Sequence, residues 1–283
     1  MTFELLFAVT AIGVLGVLSY IAGRHLGATV AKGRPWLFVE TLGLSLLFAW
    51  TMAHDLVWAS ALPVADIVCW SNVLPILLAF TAGLASRTPG LRGPFRAAAV
   101  GLFVLMALGH LVTPVARPVL WPIPDVQCEG WSNGVCLQSH EATCAAAAAA
   151  SLLSRHEIIS DEREMIDQCL TSLHGTSPLG LYRGLSTVAD KHDHVAKVAN
   201  ADPLMWSENK QLPNVALITL AHGETQRGVT QLLGPRGEGH AVVVLAREDG
   251  QWVIGDPAIG LLRWSDEQFR SRFTGDAVFL SRR

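Results

Sequence analysis

The sequence predicts an α-helical transmembrane bundle of four spans followed by an α+β domain with an antiparallel sheet. Three observations carry that prediction. Apolar residues crowd into the N-terminal part, prolines at 114, 118, 122 and 124 close it, and the remainder reads as helices first and strands afterwards. Of 283 residues, 51% are hydrophobic and only 16% charged, against about 25% charged in soluble domains. The split places a membrane domain at 1–118 and a soluble domain at 119–283. A net charge of -3 gives no basic surface for nucleic acid. With no zinc-type cysteine spacing and no glycine-rich phosphate loop, no metal or cofactor is expected.

Four apolar stretches, near 3–22, 36–54, 62–85 and 97–116, reach the roughly 20 residues that cross a bilayer. The first is too long and uninterrupted for a secretory signal and reads as a retained helix. Residues 23–35 carry Arg24, Lys32 and Arg34, and residues 86–96 carry Arg87, Arg92 and Arg96. Residues 55–66 carry only Asp55 and Asp66 as charges. The positive-inside bias makes the two basic loops cytoplasmic, so both chain ends face outward. The expectation is an integral protein of a bacterial inner or cytoplasmic membrane, its soluble domain on the extracytoplasmic side and the lipid bilayer a partner. That side permits a disulfide between Cys128 and Cys136, the alternative being two reduced thiols. Of the ionisable groups in or beside the spans, the interface accounts for His54 and Asp55, and His110 sits below it.

In the soluble domain, 125–138 reads as loop. A helix is expected from Ser139–Ala142 to about Arg155 through the alanine run, alanine being the best helix former. A second is expected over 160–173 with Ser160 as N-cap, and a third over 178–191. Strands are expected at 214–222, 240–246 and 251–256, the last two flanking "REDG" as an antiparallel hairpin. "KHDHVAK" (191–197) has metal-ligand residue types but reads as a solvated helix end.

Chemistry gathers where these elements meet. Cys144 falls in the first turn of its helix, where the positive end of the macrodipole favours thiolate over thiol. His240 opens one strand of the hairpin and Asp256 closes the other, so both lie at one end of the ribbon. Thiolate, imidazole and orienting carboxylate are the parts of a nucleophilic triad. Gln138, six residues before Cys144, can aim its amide at the oxygen that becomes negative in acyl transfer, beside the Cys144 backbone N–H. The bland readings are a buried structural thiol, a strand-edge histidine and a turn-starting Asp-Pro. His222 is the rival base, without an evident carboxylate partner.

Together, "LQSHEATCAAAAAASLL", "GTSPLGLYRGL", "GHAVVVLAREDGQWVIGDPAIGLLRWSDEQF" and "FTGDAVFL" resemble papain-like cysteine peptidases. More closely, they resemble the bacteriocin-processing family that cleaves double-glycine leader peptides. The resemblance covers most of 135–281 and implies a papain-like fold, with Cys144 as nucleophile, His240 as general base, Asp256 orienting it and Gln138 on the oxyanion. Two features depart from the family pattern. Ala145 stands where the family usually has Gly. Many relatives carry this domain as a cytoplasmic N-terminal part of an ATP-driven exporter, whereas here it follows the apolar spans and the sequence has no Walker motif.

The resulting expectation is a membrane-anchored cysteine peptidase that hydrolyses a peptide bond through a thioester, in leader or precursor processing. Its partners are a peptide or protein substrate and a separate exporter. The alternatives are a catalytically slow peptide-binding or scaffold module and an acyl transferase of the same fold.

Overall fold

A computed structural model describes residues 3–29, 36–53, 55–88, 93–124, 130–220 and 239–283. The chain divides into two compact units, one of Met1–Asp55 with Asp66–Ala116 and one of Leu56–Ala65 with Arg117–Arg283.

The first unit is helical: α1 (Phe3–Thr29), α2 (Trp36–Thr51), then, beyond the short α3 (Val57–Ala61) of the second unit, α4 (Ile67–Trp70), α5 (Leu74–Ala85) and α6 (Gly93–Leu120). Helices α1 and α5 cross closely because their contact is glycine-lined. A Cβ on Gly23 would collide with the Phe80 carbonyl oxygen, and one on Gly83 with that of Tyr20. Large apolar side chains such as Phe7, Leu18, Leu47 and Leu105 point outward, as suits a lipid-facing surface. Among the described residues, three helices are long and apolar enough to cross a membrane: Phe3–Thr29, Ile67–Ala85 and Gly93–Leu120. The expected second span is the 16-residue α2, roughly 24 Å at 1.5 Å per residue against a hydrocarbon core of about 30 Å.

The second unit is α+β. A two-stranded ribbon, β1 (Trp131–Ser132) and β2 (Val135–Cys136), leads into α7 (Cys144–Arg155), α8 (Glu162–Gln168) and α9 (Pro178–Ala189). Then come β3 (His194–Val198), α10 (Met205–Glu208), β4 (Asn214–Thr219), β5 (Gly239–Glu248), β6 (Gln251–Asp256), β7 (Gly260–Ser265), α11 (Asp266–Arg272) and β8 (Phe273–Arg282). The six longer strands form one antiparallel sheet in the order β3-β8-β4-β5-β6-β7, and α3 packs on β3.

Helix α7 lies against β4, β5 and β6. Ala145 to Ala150 are all buried, and side chains this small let the helix axis sink towards the sheet. Val242, Val244, Trp252 and Ile254 join a second core with Trp206 and Phe269. The β5–β6 hairpin forms as expected. Asp249 and Gly250 adopt φ of 49° and 76°, the conformation a two-residue type I′ turn requires.

Three local expectations are corrected. Helix α8 is capped by Asp161, whose Oδ1 accepts from Glu164 N at 2.8 Å, while Ser160 Oγ donates to Glu164 Oε2 at 2.9 Å. That helix ends before Leu170, whose φ is 55°. The segment read as loop holds the β1–β2 ribbon, turned by Asn133 and Gly134, both at positive φ. "KHDHVAK" is a 3-10 turn followed by β3, and His194 is buried rather than solvated. Cys128, His54 and His222 lie outside the described residues, and with them the Cys128–Cys136 pairing.

Candidate active site

Cys144 is the first residue of α7, preceded by a 3-10 turn over Glu141–Thr143. His140 organises that turn. Its Nδ1 accepts from Ala142 N at 3.1 Å, its own N–H donates to Thr143 Oγ1 at 3.2 Å, and the Thr143 hydroxyl donates to the His140 carbonyl at 2.7 Å. These bonds satisfy donors that a helix start leaves unpaired, and they fix the backbone leading into Cys144. Further along α7, Ser151 Oγ accepts from Cys136 N at 2.8 Å, tying the β1–β2 ribbon to the helix.

His240 and Asp256 meet as their strand positions predict. His240 Nε2 and Asp256 Oδ1 are 2.8 Å apart, with side chains 8% and 7% exposed. Asp256 Oδ1 also accepts from Ala258 N at 2.8 Å, which fixes the carboxylate. Cys144 lies close enough to act on the His240 ring electrostatically, and both residues line one groove. With Nε2 on Asp256, Nδ1 is the ring nitrogen left for the sulfur. Burial lowers the His240 pKa, but the hydrogen bond to Asp256, the neighbouring Cys144 side chain and the Asp256 charge raise it by more, to about 10. The imidazole therefore carries its proton at neutral pH. Gly255, next to Asp256, has to be glycine: a Cβ would come 2.6 Å from Val243 Cγ1 and 2.7 Å from Val135 Cγ2.

Gln138 sits on the loop entering the 3-10 turn, and its backbone N–H donates to the Pro257 carbonyl at 2.9 Å. That bond ties the loop to the end of β6, beside Asp256. Its Nε2 donates to the His140 carbonyl at 3.1 Å, and a primary amide has a second N–H to offer. Gln138 Oε1 is buried with no partner among the described residues. Sequence reasoning missed His140 and Glu162. Glu162 is fully buried and its Oε1 accepts from Ser139 N at 2.8 Å. Nothing local singles out Glu162 among the acids of that segment, because its partner lies 23 residues earlier.

Cys144 and His240 open onto a groove of about 840 Å³, with Glu141, His174, Thr219 and Asp276 among its lining residues. Among the described residues, no group of three or more His, Cys, Asp or Glu could hold a metal ion.

Residues 132–283 match the family described as Peptidase C39. The chain belongs to that family. It is a cysteine-type peptidase and hence a hydrolase. Among solved structures, the peptidase domain of Streptococcus ComA, a bi-functional ABC transporter of a quorum sensing pathway, is 23% identical. The match covers 53% of this chain and 98% of that one, with a TM-score of 0.42. A double glycine motif protease from an AMS/PCAT transporter, solved with the leader peptide, is 20% identical over 53% of this chain and 91% of its own, with a TM-score of 0.40. The C39-like domain of a Vibrio parahaemolyticus toxin secretion ATP-binding protein is 12% identical over 51% and 99%, with a TM-score of 0.36. No curated protein matches the sequence.

Proposed function

We propose that the C39 domain cleaves a leader or precursor peptide through a thioester on Cys144. The observation that carries this reading is the His240–Asp256 hydrogen bond beside Cys144 at the head of α7, with Cys144 and His240 lining one groove. Cys144 Sγ attacks the scissile carbonyl carbon, and the carbonyl oxygen takes up negative charge beside the Cys144 backbone N–H and the second N–H of Gln138. As the tetrahedral adduct collapses, protonated His240 gives its proton to the departing amine. His240, now neutral, takes a proton from a water that attacks the thioester, and Cys144 is regenerated. Asp256 holds the ring in place and stabilises its protonated form.

The domain is carried by a transmembrane domain at 1–118, with the peptidase at 119–283 outside the cytoplasm. Support comes from the basic residues of 23–35 and 86–96 and their lack in 55–66. Leu56–Ala65 also belongs to the same compact unit as the peptidase, which suits two crossings between them. Helix α2 supplies the fourth span, and a separate exporter takes up the processed peptide.

Two measurements test this. Iodoacetamide should modify Cys144 rapidly and stoichiometrically near neutral pH, and much more slowly in His240→Ala. Equal, slow modification of both proteins would replace the peptidase mechanism with a peptide-binding scaffold. For the topology, alkaline phosphatase fused after Arg283 should be active and green fluorescent protein at the same point dark. The reverse pattern would put the peptidase in the cytoplasm.

A further inference from the structure

We infer that Glu162 is a positioning residue for the oxyanion hole, acting through Ser139 on Gln138; the inference rests on the oxyanion role proposed for Gln138. Glu162 lies at the start of α8, yet its side chain is 0% exposed. A carboxylate is costly to bury without partners; its Oε1 accepts from the backbone N–H of Ser139 at 2.8 Å, while its Oε2 is buried with no partner among the described residues. Ser139 stands between the two residues that set up the nucleophile's surroundings. On one side is Gln138, held by its N–H on Pro257 and its amide on the His140 carbonyl. On the other is His140, whose ring and backbone fix the turn into Cys144. The Gln138–His140 tripeptide is thus pinned from β6 at one end, from the α7 turn at the other, and from α8 in the middle.

The middle pin sets where the Gln138 amide points. Neither His240 nor Asp256 bonds Glu162, so its removal leaves the thiol–imidazole pair in place and loosens only the donor. A donor displaced by about 1 Å forfeits much of its effect on the developing charge, with losses of up to about a hundredfold. Glutamine at 162 keeps a carbonyl oxygen for Ser139 N–H, so shape and acceptor survive without the charge.

The test uses the full chain in detergent with N-acetylglycine p-nitrophenyl ester, a small acyl donor that needs no side-chain pocket. Gln138→Ala should lower kcat on the order of a hundredfold. Glu162→Ala should lower it by between about tenfold and a hundredfold, with KM and the iodoacetamide rate of Cys144 unchanged. Glu162→Gln should recover most of the loss. The double variant should be no slower than Gln138→Ala, because a donor already deleted cannot be misplaced. If Glu162→Ala does not fold, Glu162→Asp withdraws the carboxylate by one methylene and should show the same non-additivity with a smaller loss. Equal losses from Glu162→Ala with and without Gln138, or a parallel fall in alkylation, would overturn the positioning role and leave the oxyanion reading standing. Wild-type turnover by Gln138→Ala would remove the oxyanion reading, and this inference with it.

Discussion

Helix α7 has a histidine at each end, and their electrostatics run in opposite directions. At its head, His240 lies between Asp256 and Cys144 and has its pKa raised to about 10. At its tail, His156 stacks edge-to-face on His194, with ring centroids 5.2 Å apart. There the pKa is lowered, first by burial, then by the charge of His194 and of Arg282. Burial disfavours the cation at both ends. What separates them is the character of the neighbours: a carboxylate and a thiol at the head, two basic groups at the tail. A helix C-terminus by itself favours a protonated histidine, so the tail shows that effect overridden by burial and like charge. The surroundings raise proton affinity at the head and lower it at the tail.

The largest predicted effect attacks the head. Cys144→Ala removes the attacking atom and should abolish hydrolysis, and Cys144→Ser should be nearly as inactive because a hydroxyl yields its proton far less readily. His240→Ala should be comparably severe, since in the proposed mechanism the imidazole serves both the leaving amine and the incoming water. Circular dichroism should show all three folded. His156→Gln, at the other end of the helix, should retain turnover within about a factor of two, the scale of a substitution away from the reacting groups. A loss at His156 matching that at His240 would erase the distinction between the two ends.

A smaller effect sharpens the comparison through pH. With a His240 pKa of about 10, the protonated ring persists across the neutral range, and kcat/KM should fall on the alkaline side as pH passes about 10. Stability linked to this proton has the same sign: it is present in full below the unfolded value of about 6.5 and is lost as pH rises through about 10. Asp256→Asn keeps the shape and an acceptor oxygen but removes a charge that raises the pKa. The alkaline limb of kcat/KM should therefore move to lower pH, with a milder loss of peak activity than in His240→Ala. An unmoved limb would mean that Asp256 orients the ring without stabilising its charge.

How much of this was legible in the sequence depends on distance along the chain. The alanine run, the "REDG" turn and the His and Asp at matching ends of a hairpin are local patterns, and they put Cys144, His240 and Asp256 together before any coordinates. The β1–β2 ribbon was equally local, since Asn133–Gly134 is a strong hairpin signal, but strands of two residues leave no alternation to read. Glu162 was not legible. Its bond to Ser139 N forms only when α8 folds back on the loop before α7, and nothing in "SDEREM" marks which acid turns inward. His194 was misread for a related reason: the charged residues around it suggest solvent, while pairing of β3 with β8 buries it. The apolar N-terminal part shows the opposite limit. Composition located all four apolar stretches, but among the described residues three helices are long and apolar enough to cross a membrane, and the 16-residue α2 is shorter.

The smallest predicted effect tests the tail by itself. Because the folded state lowers the pKa of His156, the native protein binds that proton less readily than the unfolded chain does. The associated stability is complete above the unfolded value of about 6.5 and is lost as pH falls below it towards the lowered folded value. This is the mirror image of His240, whose contribution fades on the alkaline side. His156 Nε2 is buried with no hydrogen-bond partner among the described residues, so a neutral replacement of similar size sacrifices little. His156→Gln should therefore match wild type in Tm near pH 8 and lose less Tm than wild type between pH 7.5 and pH 5. The measurement is scanning calorimetry of the two proteins across that range in one detergent. If the two Tm profiles run parallel, His156 carries no proton-linked strain, and the contrast between the ends of α7 reduces to the chemistry at its head.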